Sequence, residues 1–170
     1  AGTGKGVEFF TGSTTHGSTT YYTIMKMSGS AKVDTNNDVY LTNKKDNSNE
    51  IRMITVDGEL TGSAPVACLT PKNYSAGLRV LEAGTGVNLA SEAGKFAVTP
   101  KDGKNWRVGS DGKLKPETVS ISGSATDKWK LLKDAVRDIA DGGTIVIEGL
   151  VQSTSAPGNS GEIVIDKNLT

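Results

Sequence analysis

The sequence predicts a mainly β fold, and three observations support that prediction. The 170 residues include 21 glycines, and aromatic residues make up only 5% of the chain. Short runs rich in β-branched and apolar residues alternate with Ser-, Thr- and Asn-rich stretches that favour turns. One segment alone has clear helical periodicity. Together these features indicate many short strands and a single helix.

The size and charge of the chain exclude several classes of function. A chain of this length buries enough surface to fold without metals or disulfides. Its 19 basic and 19 acidic residues give no net charge, so no overall field attracts nucleic acid or anionic lipid. No stretch approaches the roughly 20 apolar residues that a membrane helix needs. We therefore expect neither nucleic-acid binding nor membrane insertion.

Cys68 and His16 are the only cysteine and the only histidine. A lone cysteine excludes an internal disulfide and leaves a zinc cluster without ligands. Cys68 lies in "PVACLTP", which indicates a small buried apolar residue, and His16 lies in a stretch typical of a loop. We expect no catalytic residue, no metal site and no cofactor.

The predicted strands of the first half are short and rich in apolar or β-branched residues. They are "VEFF" (7–10), "YYTIMKM" (21–27), "DVYL" (38–41), "RMITVDGEL" (52–60) and "PVACLTP" (65–71). In the fourth, Ile54 shares a face with Val56, and Met53 shares the other face with Thr55. This alternation predicts a strand with one well-buried face.

The stretch "FAVTPKDGKNWRVGSDGKLK" predicts a small meander. Residues 96–98 pair across a turn with residues 106–108 in this interpretation. Leu114 then follows the favoured hairpin dipeptide Asp111-Gly112. The meander is expected to end one structural unit.

A helix is predicted over residues 127–141. Four apolar side chains recur on one face: Trp129, Leu132, Val136 and Ile139. Charged side chains predict a solvated opposite face: Lys128, Lys130, Lys133, Asp134, Arg137 and Asp138. Thr126 or Asp127 is expected to cap the start. Gly142 is expected to adopt a left-handed conformation beyond the end.

A repeat is visible after this helix. Ile145 and Ile147 recur as Ile163 and Ile165, and the step from 145 to 163 suits one rung of a solenoid. Parallel pairing of the two copies predicts a parallel β-helix. The amphipathic helix would then cover the open edge of the first rung.

Two blocks of the sequence carry a family resemblance. The block "DKWKLLKDAVRDIADGGTIVIEG" with "NSGEIVIDKNLT" resembles the opening cap and first rungs of right-handed parallel β-helix domains. Such domains occur in repetitive surface proteins of treponemal spirochaetes and some other bacteria. The upstream block, from "AKVDTNNDVYL" to "KFAVTPKDGKNWRVGSDGKLK", is similar to the closing rungs and C-terminal meander of the same domains.

The resemblance implies an order of units along the chain. Residues 1–114 would close one β-helix, residues 115–124 would form a linker, and residues 125–170 would begin the next β-helix. The chain would then be a segment of a tandem array. The alternative is one self-contained all-β domain with a surface helix, in which the two halves pack together.

The resemblance also implies a function. It indicates a non-catalytic segment of a bacterial cell-surface or secreted protein that serves structural display or adhesion, with a host or bacterial surface protein or glycan as ligand. Tyr21, Tyr22 and Tyr74 are the candidate ligand-binding residues. Self-association is a further expectation, because an exposed last rung at 163–170 could stack on an exposed first rung near 20–41.

The alternative from another class is a polysaccharide-cleaving β-helix enzyme. Paired carboxylates carry out glycoside hydrolysis, and the candidates are Asp57, Glu59, Asp111 and Glu148. Their spacing singles out no pair. The chain also offers few aromatic residues on which sugar rings could stack, so the non-catalytic interpretation is preferred.

A calcium loop is considered at "DTNNDVYLTNKK". Asp34, Asn36 and Asp38 stand at alternate positions, as in the first half of such a loop. Val39 then occupies the place of the required glycine, and Lys45 that of the bidentate glutamate. The preferred interpretation is a turn between strands.

Overall fold

The computed structural model describes residues 5–8, 13–43, 51–122 and 128–170. Strands predominate in these ranges, helices are few, and the strands form small sheets. The strands are β1 (Lys5–Glu8), β2 (Ser13–His16), β3 (Thr19–Tyr22), β4 (Met25–Gly29), β5 (Asp38–Leu41), β6 (Ile54–Leu60), β7 (Ala67–Pro71), β8 (Leu81–Ala83), β9 (Phe96–Val98), β10 (Trp106–Val108), β11 (Leu114–Pro116), β12 (Thr118–Ile121) and β13 (Thr144–Ile147). The helices are α1 (Leu89–Glu92), with a 3₁₀ turn after it, and α2 (Lys128–Asp138). The mainly β prediction is confirmed.

The strands from β4 to β9 alternate between two parallel sheets. One sheet has the order β4-β6-β8, and the other has the order β1-β5-β7-β9. Every neighbouring pair in both sheets is parallel. Parallel neighbours need a long connection between them. Here each connection carries the chain through the other sheet before it returns.

Apolar side chains of successive strands stack in columns inside this part of the chain. Val39 lies opposite Leu69, and Leu69 lies opposite Val98, at nearly equal steps along the sequence. The first two are inaccessible to solvent and Val98 is 8% exposed. Ile54 and Val56 are also buried, while Met53 and Thr55 are half-buried, which confirms the predicted faces of that strand. One apolar core extends from Met27 to Leu114.

The segment 112–114 covers the open edge of β8. The Gly112 carbonyl accepts hydrogen bonds from the N–H groups of Val80 (2.9 Å) and Leu81 (3.0 Å), and the Leu114 N–H donates to Leu78 O at 2.8 Å. Gly112 has a φ of 76°. A Cβ atom there would lie 2.5 Å from the Leu81 carbonyl oxygen. Glycine is therefore required both by the turn and by the close approach.

The predicted meander is confirmed in its second half only. β10 and β11 form an antiparallel hairpin in which Val108 lies opposite Leu114. Residues 96–98, by contrast, pair in parallel with β7 and form no ladder with residues 106–108. The turn after residue 98 predicted a hairpin, but β9 pairs with β7 instead. Parallel neighbours are always separated by a long connection, so this partner lies much earlier in the sequence.

The segment predicted as a linker, residues 115–124, includes strand residues. Residues 115 and 116 belong to β11, and residues 118–121 form β12, which pairs in parallel with β13. Residues 123 and 124 lie outside the described ranges. Val119 and Ile121 alternate with polar residues, which is a strand pattern. The strand was not predicted because the proline and serines of the same segment are typical of a linker. Where one unit ends and the next begins stays a prediction.

The predicted rung from 145 to 163 is also wrong. Residues 163–165 are not in a strand. Thr118 instead lies opposite Thr144. Thr170 continues the ladder on the other side of β13, because its N–H donates to Gly143 O and its carbonyl accepts from the Ile145 N–H. The step in sequence between paired segments is longer than the predicted step. The connection between β12 and β13 includes α2, and the connection between β13 and Thr170 is a long irregular segment.

Helix α2 is shorter than predicted, since it spans Lys128–Asp138. The proposed caps Thr126 and Asp127 lie outside the described residues. Val136 and Ile139 of the predicted apolar face are buried, and Gly142 has the predicted positive φ of 74°. Lys128 corrects the prediction of a solvated face, because it is 7% exposed and its Nζ donates to Glu148 O at 3.3 Å.

The end of α2 is capped by a distant lysine. Lys167 Nζ donates to the carbonyl oxygens of Val136 (2.7 Å), Arg137 (2.8 Å) and Ile139 (3.0 Å). The last carbonyls of a helix have no partners inside it, and a cation there also favours the helix dipole. Burial, together with the nearby Lys115 charge, lowers the pKa of Lys167. The C-terminal segment is thereby fastened to the helix.

Candidate ligand-binding face

The outward positions of β5 and β7, together with Thr99 after β9, form one polar face. Val39 and Leu69 point into the core, so the alternating positions Asp38 and Tyr40, Cys68 and Thr70 point outward. Thr99 follows β9 on the same side. These side chains are half-buried. We call the set Asp38, Tyr40, Cys68, Thr70 and Thr99 the outer face.

Hydrogen bonds link the outer face across three successive strands. The Thr70 hydroxyl donates to Asp38 Oδ2 at 2.8 Å, and the hydroxyls of Thr70 and Thr99 lie 2.7 Å apart. Thr99 is also 3.4 Å from the same carboxylate oxygen. Hydrogen bonds to an ionised group are stronger than neutral ones. The ladder therefore holds the three side chains in fixed positions.

Cys68 belongs to this ladder and not to the core, which corrects the prediction of a buried apolar residue. Its Sγ lies 3.3 Å from the Thr99 hydroxyl, while its neighbours Ala67 and Leu69 fill the core. Burial, with a contribution from the Asp38 charge, raises the pKa of the Cys68 thiol. Because the thiolate is the nucleophilic form, this environment disfavours covalent chemistry at Cys68.

Tyr74 lies beside the outer face. Its hydroxyl donates to Thr99 O at 2.9 Å, and its ring meets Trp106 edge-on with centroids 5.7 Å apart. Burial raises the pKa of Tyr74 well above its usual range. Within the described residues, the buried Trp106 Nε1 has no hydrogen-bond partner. Tyr74 is thus half-buried, and its ring is held in one orientation beside the outer face.

The other two predicted tyrosines lie in a separate hairpin. Tyr21 and Tyr22 belong to β3, which pairs with β2 so that Tyr21 lies opposite Thr14. Their side chains lie outside the described part of the structure, so their role stays a prediction. The prediction of a loop for His16 is wrong, because it ends β2 opposite Thr19, and its side chain is exposed.

The segment considered as a calcium loop forms a turn before β5, which agrees with the preferred interpretation. The Asp34 side chain accepts a hydrogen bond from the Asn36 N–H at 2.8 Å, and its carbonyl accepts one from the Asn37 N–H. Asp38 begins β5 and its carboxylate binds Thr70. Asp34 and Asn36 therefore close the turn, while the Asp38 carboxylate is bonded to β7. In the described ranges, no three side chains of His, Cys, Asp or Glu come together in a metal-binding group.

A buried carboxylate that sequence reasoning missed lies at the end of β6, in the sheet β4-β6-β8. Glu92 is 3% exposed, and its Oε2 accepts hydrogen bonds from the Leu60 N–H at 2.8 Å and from Lys95 Nζ at 3.0 Å. The bond from Leu60, supported by Lys95, lowers the pKa of Glu92. Helix α1, capped by Asn88, positions the carboxylate. Only the capping pattern "NLASE" could have indicated this helix.

The four carboxylates considered for hydrolysis lie in three places, because Asp57 and Glu59 line one cavity. Asp57 forms an ion pair with Lys26 at 3.1 Å, and Asp111 lies near Lys113 and Lys115. Glu59 lines the same shallow cavity as Asp57. Glu148 follows β13 and is exposed. The structure places these carboxylates beside lysines or at the surface.

Comparisons with protein families, with curated proteins and with solved structures find no match to this chain. The resemblance to treponemal-type surface proteins therefore stays a prediction. No helix among the described residues is long and apolar enough to cross a membrane.

Proposed function

We propose that this chain is a non-catalytic segment of a repetitive cell-surface or secreted bacterial protein, and that it serves structural display or adhesion. The observation that carries the proposal is the alternation of strands between two parallel sheets with stacked apolar columns such as Val39, Leu69 and Val98. This arrangement fits successive coils of a right-handed parallel β-helix. Coils of this kind build long surfaces from repeated units.

The outer face is the proposed ligand-binding surface. Tyrosine offers an apolar ring with a polar end, which suits protein and glycan ligands alike. Tyr40 lies opposite Thr70 in the strand register, and the Tyr74 hydroxyl donates to Thr99 O. The ladder presents oriented hydroxyl and carboxylate oxygens beside the two rings. A host or bacterial surface protein or glycan is the proposed ligand.

Binding to panels of immobilised glycans and surface proteins tests this proposal, and two matched variants locate the site. Thr70→Val removes the central hydroxyl of the ladder. Thr55→Val is the control, because Thr55 also donates to a carboxylate, that of Glu82 at 2.6 Å, but from the other parallel sheet. We expect Thr70→Val to weaken binding at least several-fold and Thr55→Val to leave it unchanged.

The same samples separate adhesion from hydrolysis. Incubation with a polysaccharide panel should release no new reducing ends at any pH at which the protein is folded. Release of reducing ends that is lost in Asp57→Asn or Glu59→Gln would overturn the non-catalytic proposal. Equal loss of binding in Thr55→Val and Thr70→Val would instead show that the outer face is not the ligand-binding surface.

A further inference from the structure

Two parts of the chain meet at Glu117. We call the described residues up to 116 the upstream part, and residues 118–122 and 128–170 the downstream part. The Glu117 N–H donates to Asn105 O of the upstream part at 3.0 Å, and its carbonyl accepts a bond of 2.8 Å from the Thr144 N–H of the downstream part. Among the strands that the structure describes, no ladder joins the two parts. One hydrogen-bonded framework therefore ends at Glu117, and the other begins there.

The two parts also have separate apolar cores. The upstream core extends from Met27 to Leu114 and includes no residue of α2 or β13. Buried apolar residues of the downstream part, such as Ile121, Val136 and Ile139, do not belong to it. Two parts of a chain are expected to move relative to each other unless a large apolar interface holds them. The described side chains provide no such interface.

A cavity of about 620 Å³ lies between the two parts. Ala93 and Val108 line it from the upstream part, and Ile139 and Ala140 line it from the downstream part. Acidic and basic side chains occur on both walls: Arg107, Asp111 and Lys115 upstream, and Asp141, Asp166 and Lys167 downstream. In the described ranges, no ion pair joins one wall to the other. The two parts are therefore not closely packed at this side of their contact.

Arg107 bridges the two parts beside this cavity. Its Nε donates to a Glu117 carboxylate oxygen at 3.1 Å, and its Nη1 donates to Asp141 O at 2.8 Å. A guanidinium group is planar and presents its donors in fixed directions, so the two bonds together define the position of Asp141. A second bond across the boundary, from the Ala140 N–H to Pro116 O at 2.9 Å, ends directly beside Glu117. It would therefore restrain rotation about Glu117 less than the bond from Arg107 does.

We propose that Glu117 is a hinge and that Arg107 is the latch that holds the downstream part in the observed position. Release of the latch lets the downstream part rotate about Glu117 and widens the cavity. Hinges are commonly residues at the ends of secondary-structure elements, and Glu117 lies between β11 and β12. The Arg107 side chain is 44% exposed, so water and salt compete for its bonds. The latch can therefore open while both parts stay folded.

Distances between two spin labels, measured by double electron–electron resonance, test the proposal. The labels are attached at Lys104→Cys and Glu162→Cys, two exposed positions on opposite sides of the hinge, in a chain that carries Cys68→Ser. The parent should give one dominant, narrow distance distribution. Arg107→Met should increase the fraction of molecules in a second, broader distribution at least several-fold, because it removes both bonds of the latch.

Two controls separate hinge motion from general loosening. Arg79→Met removes a matched arginine, whose Nη1 donates to Asp111 O at 3.0 Å within the upstream part, and it should leave the distribution unchanged. A label pair at Glu59→Cys and Lys104→Cys lies wholly within the upstream part and should keep its distance in Arg107→Met. Arg107→Lys replaces Arg107→Met if circular dichroism shows that the latter does not fold, and it should broaden the distribution to a smaller extent.

Three outcomes would contradict the proposal. A narrow distribution that persists in the folded Arg107 variant would show that the two parts form one rigid body. Equal broadening in Arg79→Met would show that Arg107 has no special role. Broadening of the label pair within the upstream part would place the motion inside that part and not at Glu117.

Discussion

The amide oxygen of Asn159 accepts a hydrogen bond of 3.0 Å from the backbone N–H of Lys130. Lys130 lies in the first turn of α2, where N–H groups have no partner within the helix. Asn159 is inaccessible to solvent, and its Nδ2 donates to Gln152 O and to the Thr154 hydroxyl. A side chain from the C-terminal segment thus acts as the cap of a helix that lies well before it in the sequence.

Asn159→Ala should therefore destabilise the C-terminal part of the chain. Loss of a helix cap and of buried amide contacts is expected to lower the free energy of unfolding by about 2–3 kcal/mol. Urea unfolding followed by helical circular dichroism measures the change. Asn168→Ala is the matched control, because the Asn168 side chain is exposed, and its effect should stay within about 0.5 kcal/mol. Equal effects in the two variants would contradict the capping role.

Gly112→Ala should destabilise the chain more than Gly103→Ala. Both glycines have positive φ values, 76° and 71°, so both substitutions cost about 1–2 kcal/mol of backbone strain. Only at Gly112 would the added Cβ meet the Leu81 carbonyl oxygen, whereas the space around Gly103 is open. The difference in thermal stability between the two variants should measure the cost of the close approach of residue 112 to the Leu81 carbonyl. A larger effect at Gly103 would show that the edge of β8 tolerates displacement of segment 112–114.

Glu92 should make stability depend on pH in the acid range. Its pKa is lowered in the folded state from an ordinary value of about 4.3. The charged form therefore contributes its full stabilisation above that ordinary value, and this contribution is lost as the pH falls through the folded-state pKa. Glu92→Gln should flatten that part of the profile of unfolding free energy against pH. Glu59→Gln, at an exposed carboxylate of β6, is the control and should leave the profile unchanged.

Cys68 should react slowly with alkylating reagents. Its raised pKa lowers the fraction of thiolate at neutral pH. The rate of iodoacetamide labelling should therefore rise with pH to a midpoint above the usual value of about 8.5. Asp38→Asn removes the neighbouring negative charge and should move that midpoint to lower pH. A midpoint that does not move would show that burial alone sets the reactivity.

The local elements were predictable from the sequence, and their partners were not. Alternation at Ile54 and Val56 indicated a buried face because strand periodicity is a local property. Phe96 lies opposite Ala67 in a parallel ladder, and no local turn signal reports a partner so far away in the chain. The predicted rung was wrong for the same reason. The similarity of Ile145 and Ile147 to Ile163 and Ile165 does not determine which strands form hydrogen bonds with each other.

The candidate site was predictable only in part. Tyr74 was predicted as a ligand-binding residue from its aromatic side chain, but its bond to Thr99 O depends on a strand that lies later in the sequence. The roles of Asp38, Thr70 and Thr99 follow from the stacking of three strands and have no motif. Glu92 was missed because a buried glutamate is rare, and the Leu60 N–H that stabilises it belongs to a strand much earlier in the chain.

The stacking of parallel strands also determines how the chain responds to force. Each strand between β4 and β9 is bonded to a neighbour that lies about 30 residues away in sequence, as Ile54 is paired with Leu81 and Leu69 with Val98. Rupture of one ladder under tension would therefore release about 100 Å of extended chain, given the reach of each residue. A protein that tethers a ligand to a moving surface would lengthen in discrete steps and dissipate the load before the ligand detached.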